Sequence, residues 1–562
     1  MASPRKASAT ARLHRAGVGA ALLLLVGVSA LAASGDLRVN SGSDAGGKTA
    51  TVVAIADRGF EGVDLGYWAE GHDPEGVHHP LVHTERRDDR WIQVTSAVMP
   101  AASAVGERAF GSLGALWLAM VSVPVGAFGA ARLARSMGAP SGALAFLIVG
   151  AASPLAFYAT DQWEHAPSVA AGLWATAWLG EPLRLRGFVA LGAAAGLAGG
   201  LRRETMLVLF VLGLAQLVDP IRRRFWLTHR FGVLAAGTTA AAVLAMIYSF
   251  DYVVLGRSLT GRTLAQAGLA ASNFDQRLND ALLTTVSQYT NPSVAALLLG
   301  LLSLVGIALA TWGWRTDERR RVVFGYVCVV VSLLVRLLVG GLSFVPGAFA
   351  VLPVAAAAPV LARGAGRRLW VAALVAIAVV LLVQWTGSLN AQWGGRYLLL
   401  PALLVTVVAV AEIERRGVRH PAAVLALGAT VAIAGIGFVF QVERARGFGD
   451  ARDAVLDVVG DDVVVSSHPH FPREIAESVI ERRWLRADST QAVKGAFLVA
   501  ARAAPQERIW LLHDGRCAVG PCDRTWAARE QTVEIPGYRS TGVTTVPWPI
   551  GNSYVLERFE PL

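Results

Sequence analysis

Charge is what this sequence has least of. Of 562 residues only 16% are Asp, Glu, Lys or Arg, while 54% are hydrophobic and the mean hydropathy is +0.48. Soluble globular chains carry about 25% charged residues, so that class is excluded. Cysteine is scarce as well. Cys328 lies in an apolar run and reads as packing. Cys517 and Cys522, separated by four residues, read as a small disulfide loop outside the cytoplasm. A metal site recruiting His513 lacks a fourth ligand. The formal net charge of +10 does not announce a nucleic-acid partner, because most arginines sit in short clusters between apolar runs, as topology signals do. The spans show no internal repeat and no midplane pair of interrupted helices, which argues against a transporter.

What the chain has is apolar runs near the ~20 residues that cross a bilayer as a helix. Residues 1–16 hold Arg5, Lys6, Arg12 and Arg15, and an apolar run follows at 17–33. Ala30-Leu31-Ala32 also fits a signal-peptide cleavage triplet, and on either reading residue 34 onward emerges outside. Further runs cover 109–131, 140–158, 166–181, 187–201, 205–218, 231–249, 293–312, 322–340, 344–361, 369–386, 397–411 and 421–440. That makes about thirteen spans, and roughly eleven to fourteen because some are short. With residues 1–16 in the cytoplasm, the clusters "RTDERRR", "RGAGRR" and "EIERRG" fall inside. The loops 34–108 and 250–292 and the tail then fall outside. In the tail, "DDVVVSS" and "ERIWLLH" read as strands, and 472–484 and 489–503 as helices. The expected fold is a polytopic α-helical membrane module, 1–440, followed by an extracytoplasmic α/β domain, 441–562.

Near the start of the first external loop, "SGSDAGGKTAT" fits the phosphate-binding pattern G-x-x-x-x-G-K-[ST] through Gly42, Gly47, Lys48 and Thr49. The pattern has its meaning only between a buried strand and a helix of a parallel sheet. Here it follows a membrane span and the polar stretch "GDLRVN", on the side where ATP is scarce. The nucleotide reading is set aside, and what remains is Asp44 in a loop just outside the first span.

The external turns gather ionisable and aromatic residues, which are costly beside spans and therefore point to function. The first loop carries Asp57, Asp64, His72, Asp73, His78 and His79, with Trp68 among them. The next turns hold "DQWEH", "LAGGLRRETML" and "NAQWGGRY". Together with "DRWIQVTSAVMPAASAVGERAFG", "SPLAFYATDQWEH" and "FDYVVLGRSLTGR", these stretches resemble, in order and topology, the GT-C superfamily of membrane glycosyltransferases over roughly residues 17–415. The resemblance implies a polyprenyl-phosphate sugar as donor and a glycan, lipid or protein acceptor of the cell envelope. It also implies an inverting displacement with a loop carboxylate as base.

By that resemblance Asp44 is the first candidate for the base. It stands alone where many members of the family have adjacent acidic residues, so Asp64 and Asp73 stay beside it as alternatives. Lys48, Arg203 and Arg396 would bind the donor phosphate, though Lys48 could equally be a partner for Asp44. Glu164, His165, Glu204 and Tyr397 would meet the substrate, and Trp68 and Trp163 could stack on a sugar face. No resident cofactor is implied, a divalent cation stays open, and no nucleic-acid partner is expected. Mannose or arabinofuranose is the guess for the sugar. The alternative is a multi-span transporter or lipid flippase, and a third reading is a surface assembly or sensor protein.

Overall fold

A computed structural model describes residues 4–40, 43–181, 183–256, 274–289, 293–383, 393–468, 471–514, 534–547 and 553–562. Cys517 and Cys522, with the disulfide expected of them, lie outside the described residues. The chain divides into two compact units. The first comprises 1–30, 118–249 and 260–440; the second comprises 31–117, 250–259 and 441–562.

The first unit is helical. Among the described residues of the whole chain, seven helices are long and apolar enough to cross a membrane. They are Trp117–Ser136, Arg230–Leu255, Val294–Thr316, Arg319–Gly340, Gly364–Val383, the stretch Arg396–Arg416 and the 39-residue Pro421–Val459. The protein is thus a multi-pass α-helical membrane protein.

Several expected spans are interrupted, and proline explains two of them. The run 140–158 becomes Ala143–Ala151 and Pro154–Tyr158, because Ser153 caps a new helix by accepting from Leu155 N, with Pro154 at its first position. The run 344–361 becomes Ala348–Val351, a 3₁₀ turn Pro353–Ala357 and Ala358–Leu361, with Pro353 and Pro359 unable to donate within a continuous helix. Arg203–Val218 meets Pro220–Thr228 at a bend of 102°, where the Asp219 carboxylate accepts from Ile221 N and Arg222 N. The span expected at 109–131 begins instead at Trp117, because Gly111, at φ 65°, breaks the preceding helix Val98–Ala115.

Helices Val294–Thr316 and Arg319–Gly340 pack through glycine. A Cβ on Gly325 would stand 2.4 Å from Gly306 O, so only a bare backbone permits this approach. Cys328 is buried against Gly306 as ordinary packing.

The second unit is mixed α/β. Its five-stranded sheet has the order β4-β3-β5-β7-β6, with β3 (Val463–Ser466), β4 (Trp484–Arg486), β5 (Ile509–Asp514), β6 (Tyr538–Pro547) and β7 (Ser553–Pro561). Strands β4, β3 and β5 run parallel, and β7 and β6 are added antiparallel. The expected helix 489–503 is Thr490–Ala503, capped by Ser489. The expected helix 472–484 is instead Phe471–Glu474 and Ala476–Ile480, followed by β4.

The first loop is more ordered than its polarity suggested. It forms the helix Ser43–Arg58 and a hairpin of β1 (Thr84–Arg87) and β2 (Arg90–Gln93). Its apolar residues fill the same cores as the tail. Val39, Ala50, Leu65 and Leu81 pack with Phe471, Trp484 and Leu556, and Tyr67 and Trp91 pack with Val465, Phe497 and Phe559. A loop that buries this much apolar surface folds as part of a domain.

Candidate functional site

The sequence-predicted residues fall into two sets, one in each unit. In the first unit, three turns bring the polar residues together. The turn "DQWEH" ends in the helix His165–Leu179, and His165 is 1% exposed. The second turn separates Leu185–Leu201 from Arg203–Val218, with Arg202 extended between them at φ −144° and ψ 118°. The third is Gly394-Gly395, both at positive φ, leading into the 3₁₀ turn Arg396–Leu398. At Gly395 a side chain would also strike Thr284 O at 2.6 Å, so glycine is required twice over.

The three turns line a narrow cleft, with only about 10 Å³ of free volume, whose polar wall is His165, Arg202, Glu204, Arg396 and Tyr397. Arg202 Nε donates to Glu204 Oε1 at 2.7 Å, and His165 Nε2 lies 4.0 Å from the same oxygen. The Arg202 guanidinium sits 5.3 Å from the Tyr397 ring centroid. That of Arg396 sits 4.6 Å from Tyr397 and 5.4 Å from Trp163. His165 stacks on Tyr158 at 5.0 Å, and the Tyr158 hydroxyl donates to Trp393 O at 2.7 Å. Glu164 is buried beside this group and acts on the charge of Arg202. Two guanidiniums on aromatic faces, next to carboxylates, are equipped to take a phosphate by paired hydrogen bonds.

Arg203 was the expected phosphate ligand of its turn, but Arg202 is the arginine that lines the cleft. Arg203 is the first residue of its helix, and Arg202 is the extended residue before it. Sequence reasoning did not single out Arg202 among the site residues. The signal was the spacing Arg202-x-Glu204, which puts both side chains on one side of the extended turn.

In the second unit, Asp44 lies in the first turn of Ser43–Arg58 rather than in a loop, where the helix N-terminus favours a carboxylate. Gly47, Lys48 and Thr49 are therefore inside a helix and form no phosphate-cradling loop. Lys48, one turn after Asp44, is 1% exposed. His83 Nε2 stands 3.8 Å from Asp44 Oδ1, and the Asp44 side chain keeps 24% exposure. His83 holds φ 67°, a left-handed backbone that a non-glycine residue adopts only under constraint. Nothing in the sequence marked His83.

Asp64 and Asp73 are occupied differently. Asp64 Oδ1 accepts from Trp91 N at 2.8 Å. Asp73 is buried, and its Oδ2 accepts from the Tyr67 hydroxyl and from His78 N, each at 2.7 Å. Both carboxylates brace their own loop. His79 is 2% exposed, and burial lowers its pKa to about 4. His468 is lowered to about 3, first by burial and then by Arg473. Among the described residues no group of three His, Cys, Asp or Glu side chains could hold a metal ion.

No family model and no curated protein matches the chain. Solved structures do. ArnT from Cupriavidus metallidurans bound to undecaprenyl phosphate is similar at 16% identity and a TM-score of 0.43, over 95% of this chain and 97% of that one. The apo form of the same ArnT gives 16% and 0.44, over 98% of each chain. The Archaeoglobus fulgidus oligosaccharyltransferase in the apo form gives 12% and 0.40, over 88% of this chain and 69% of that one.

Proposed function

We propose that the chain is a GT-C-type membrane glycosyltransferase. It moves a sugar from a polyprenyl-phosphate donor to an acceptor hydroxyl on the extracytoplasmic face. The observation that carries this is the buried cleft of Arg202, Glu204, His165, Arg396 and Tyr397, assembled from three turns far apart in sequence. Arg202 donates to the Glu204 carboxylate through Nε, and a guanidinium carries five N–H donors in all, enough to serve an anion as well. A lipid phosphate is a suitable partner, and it is the leaving group of this reaction.

The proposed step is a single displacement. The acceptor oxygen attacks the anomeric carbon from the face opposite the phosphate, and its proton passes to the Asp44 carboxylate. The bond between the anomeric carbon and the phosphate oxygen breaks, and polyprenyl phosphate leaves with the electron pair. Arg202 and Arg396 stabilise the charge that grows on it. Asp44 is preferred because it stands just past the first apolar run, where the resembled family carries its acidic residue; Asp64 and Asp73 accept backbone amides of their own loop. His83 positions the Asp44 carboxylate, and Lys48 balances charge on that helix face. The part of the second unit formed by 441–562 is assigned to the extracytoplasmic side, where it would hold the acceptor.

Purified protein given a radiolabelled polyprenyl-phosphoryl sugar, mannose and arabinofuranose in turn, tests the reaction. Asp44→Asn should lower transfer by about 10²–10⁴-fold, the usual contribution of a general base. Full transfer by this variant would remove Asp44 as the base. Asp44→Cys should react with a membrane-impermeant maleimide from outside intact cells, and labelling solely from the cytosol would overturn the orientation.

A further inference from the structure

Strand β2 (Arg90–Gln93) carries an unusual ladder. Side chains two apart on a strand share a face, and Trp91 and Gln93 are such a pair, with Thr95 two residues beyond. Trp91 Nε1, both amide atoms of Gln93, and Thr95 Oγ1 are buried without a hydrogen-bond partner among the described residues. Trp91 and Gln93 are each 2% exposed. Asn40, 4% exposed, adds an unpartnered Nδ2, while its Oδ1 accepts from Thr49 Oγ1 at 2.6 Å. Buried polar atoms in native proteins nearly always have partners, and each unpaired one costs stability. Several of them, on three residues spaced two apart along one stretch of chain, point to a ligand that completes them.

The location is specific. A Cβ on Gly47 would fall 2.5 Å from the Gln93 amide, so this amide lies against helix Ser43–Arg58 one turn after Asp44. Gly47 is there to admit Gln93. The chemistry is specific too. An amide, an indole N–H and a hydroxyl carry no charge, which suits neither a phosphate nor an ammonium group. An amide that donates and accepts at once matches adjacent hydroxyls on a ring.

We propose that Gln93, flanked by Trp91, Thr95 and Asn40, is a binding strip for the hydroxyls of a neutral sugar beside Asp44. The inference rests on the reading of Asp44 as the base. It goes further by assigning recognition of the sugar ring to uncharged groups of the first external loop, apart from the arginines.

The test uses full-length protein with two probes, farnesyl-phosphoryl mannose and farnesyl phosphate. Wild type should bind the sugar-bearing lipid more tightly than the bare phosphate. Gln93→Met, which keeps the shape, should reduce that preference by roughly ten- to a hundredfold and leave farnesyl phosphate binding unchanged, as loss of one paired amide contact predicts. Gln93→Glu, which keeps an acceptor and adds charge, should lie between wild type and Gln93→Met. Unchanged donor binding with a raised KM for a glycan acceptor would assign the strip to the acceptor's hydroxyls instead. Gln93→Met with wild-type binding, wild-type KM values and a higher melting temperature would overturn the proposal, because the ladder would then be only a dry polar fault. Asp44→Asn separates the two readings. If it transfers sugar normally while Gln93→Met loses sugar preference, the base assignment fails and the strip stands.

Discussion

Two arginine sites in the helical unit are both largely withdrawn from solvent and are partnered differently. Arg336 is 0% exposed within Arg319–Gly340. Its Nη1 donates to Gly341 O at 2.8 Å and its Nη2 to Ser343 O at 2.6 Å, at the helix C-terminus where carbonyls lack intrahelical partners. Tyr289 lies under its guanidinium and donates its hydroxyl to Arg336 O. Arg336 is a built-in helix cap. Arg202 and Arg396, by contrast, lie over aromatic rings, and Arg202 donates to the Glu204 carboxylate. An arginine whose donors meet main-chain carbonyls at a helix end reads as structural, whereas one set beside a carboxylate and aromatic rings is the stronger functional signal.

Substitution at both sites sharpens this contrast. Arg396→Gln and Arg202→Gln should each lower glycosyl transfer by about 10²–10³-fold, as loss of a charge-stabilising donor does. The melting temperature of Arg396→Gln in detergent should stay near wild type, and a large fall would make Arg396 another structural cap, whereas Arg202→Gln also takes the ion-pair partner from buried Glu204 and should be less stable. Arg336→Leu should do the reverse. It strands two carbonyls and should cost about 2–4 kcal/mol of stability, seen as a lower thermal midpoint, with the remaining folded protein fully active.

The mixed unit carries a smaller effect, visible in pH. Burial lowers His79 to about 4 from the ordinary imidazole value of 6.5, so its folded pKa lies below its unfolded one. Its neutral form stabilises the fold above pH 6.5, and that contribution is lost as pH falls toward 4. The loss should be on the order of 3 kcal/mol at most, and His468 acts in the same direction at lower pH. Hydrogen exchange of strands β2 and β3 across this range reads it. His79→Gln should flatten the profile, and an unchanged profile would remove His79 as the source. The smallest effect belongs to Arg203→Gln. It should cost less than about tenfold in transfer, because its neighbour Arg202 is the one that lines the cleft.

Much of the membrane module was legible in the sequence because apolar runs and arginine clusters are local signals. The runs at 231–249, 322–340 and 421–440 lie within long helices, and those at 293–312, 369–386 and 397–411 overlap them. The breaks were less legible, because Ser153-Pro154, Pro353 and Gly111 sit in stretches as apolar as their neighbours. Of the site, "WEH", "RRE" and "GGRY" were found, since polar residues beside spans stand out. The choice between Arg202 and Arg203 was not, because it depends on which residue is extended and which is already helical. His83 and Gln93 carried no sequence signal, as their importance comes from what they lie against.

Composition and hydropathy by themselves determined that this is a multi-pass helical membrane protein with polar connecting turns, because the cost of charge in a bilayer is written residue by residue. Only the tertiary structure decided that Lys48 belongs to a helix rather than a phosphate loop, that Asp64 and Asp73 brace backbone, and that Arg202 lines the cleft. Those outcomes depend on which groups meet across the fold, and contacts between distant turns leave no local pattern in the chain.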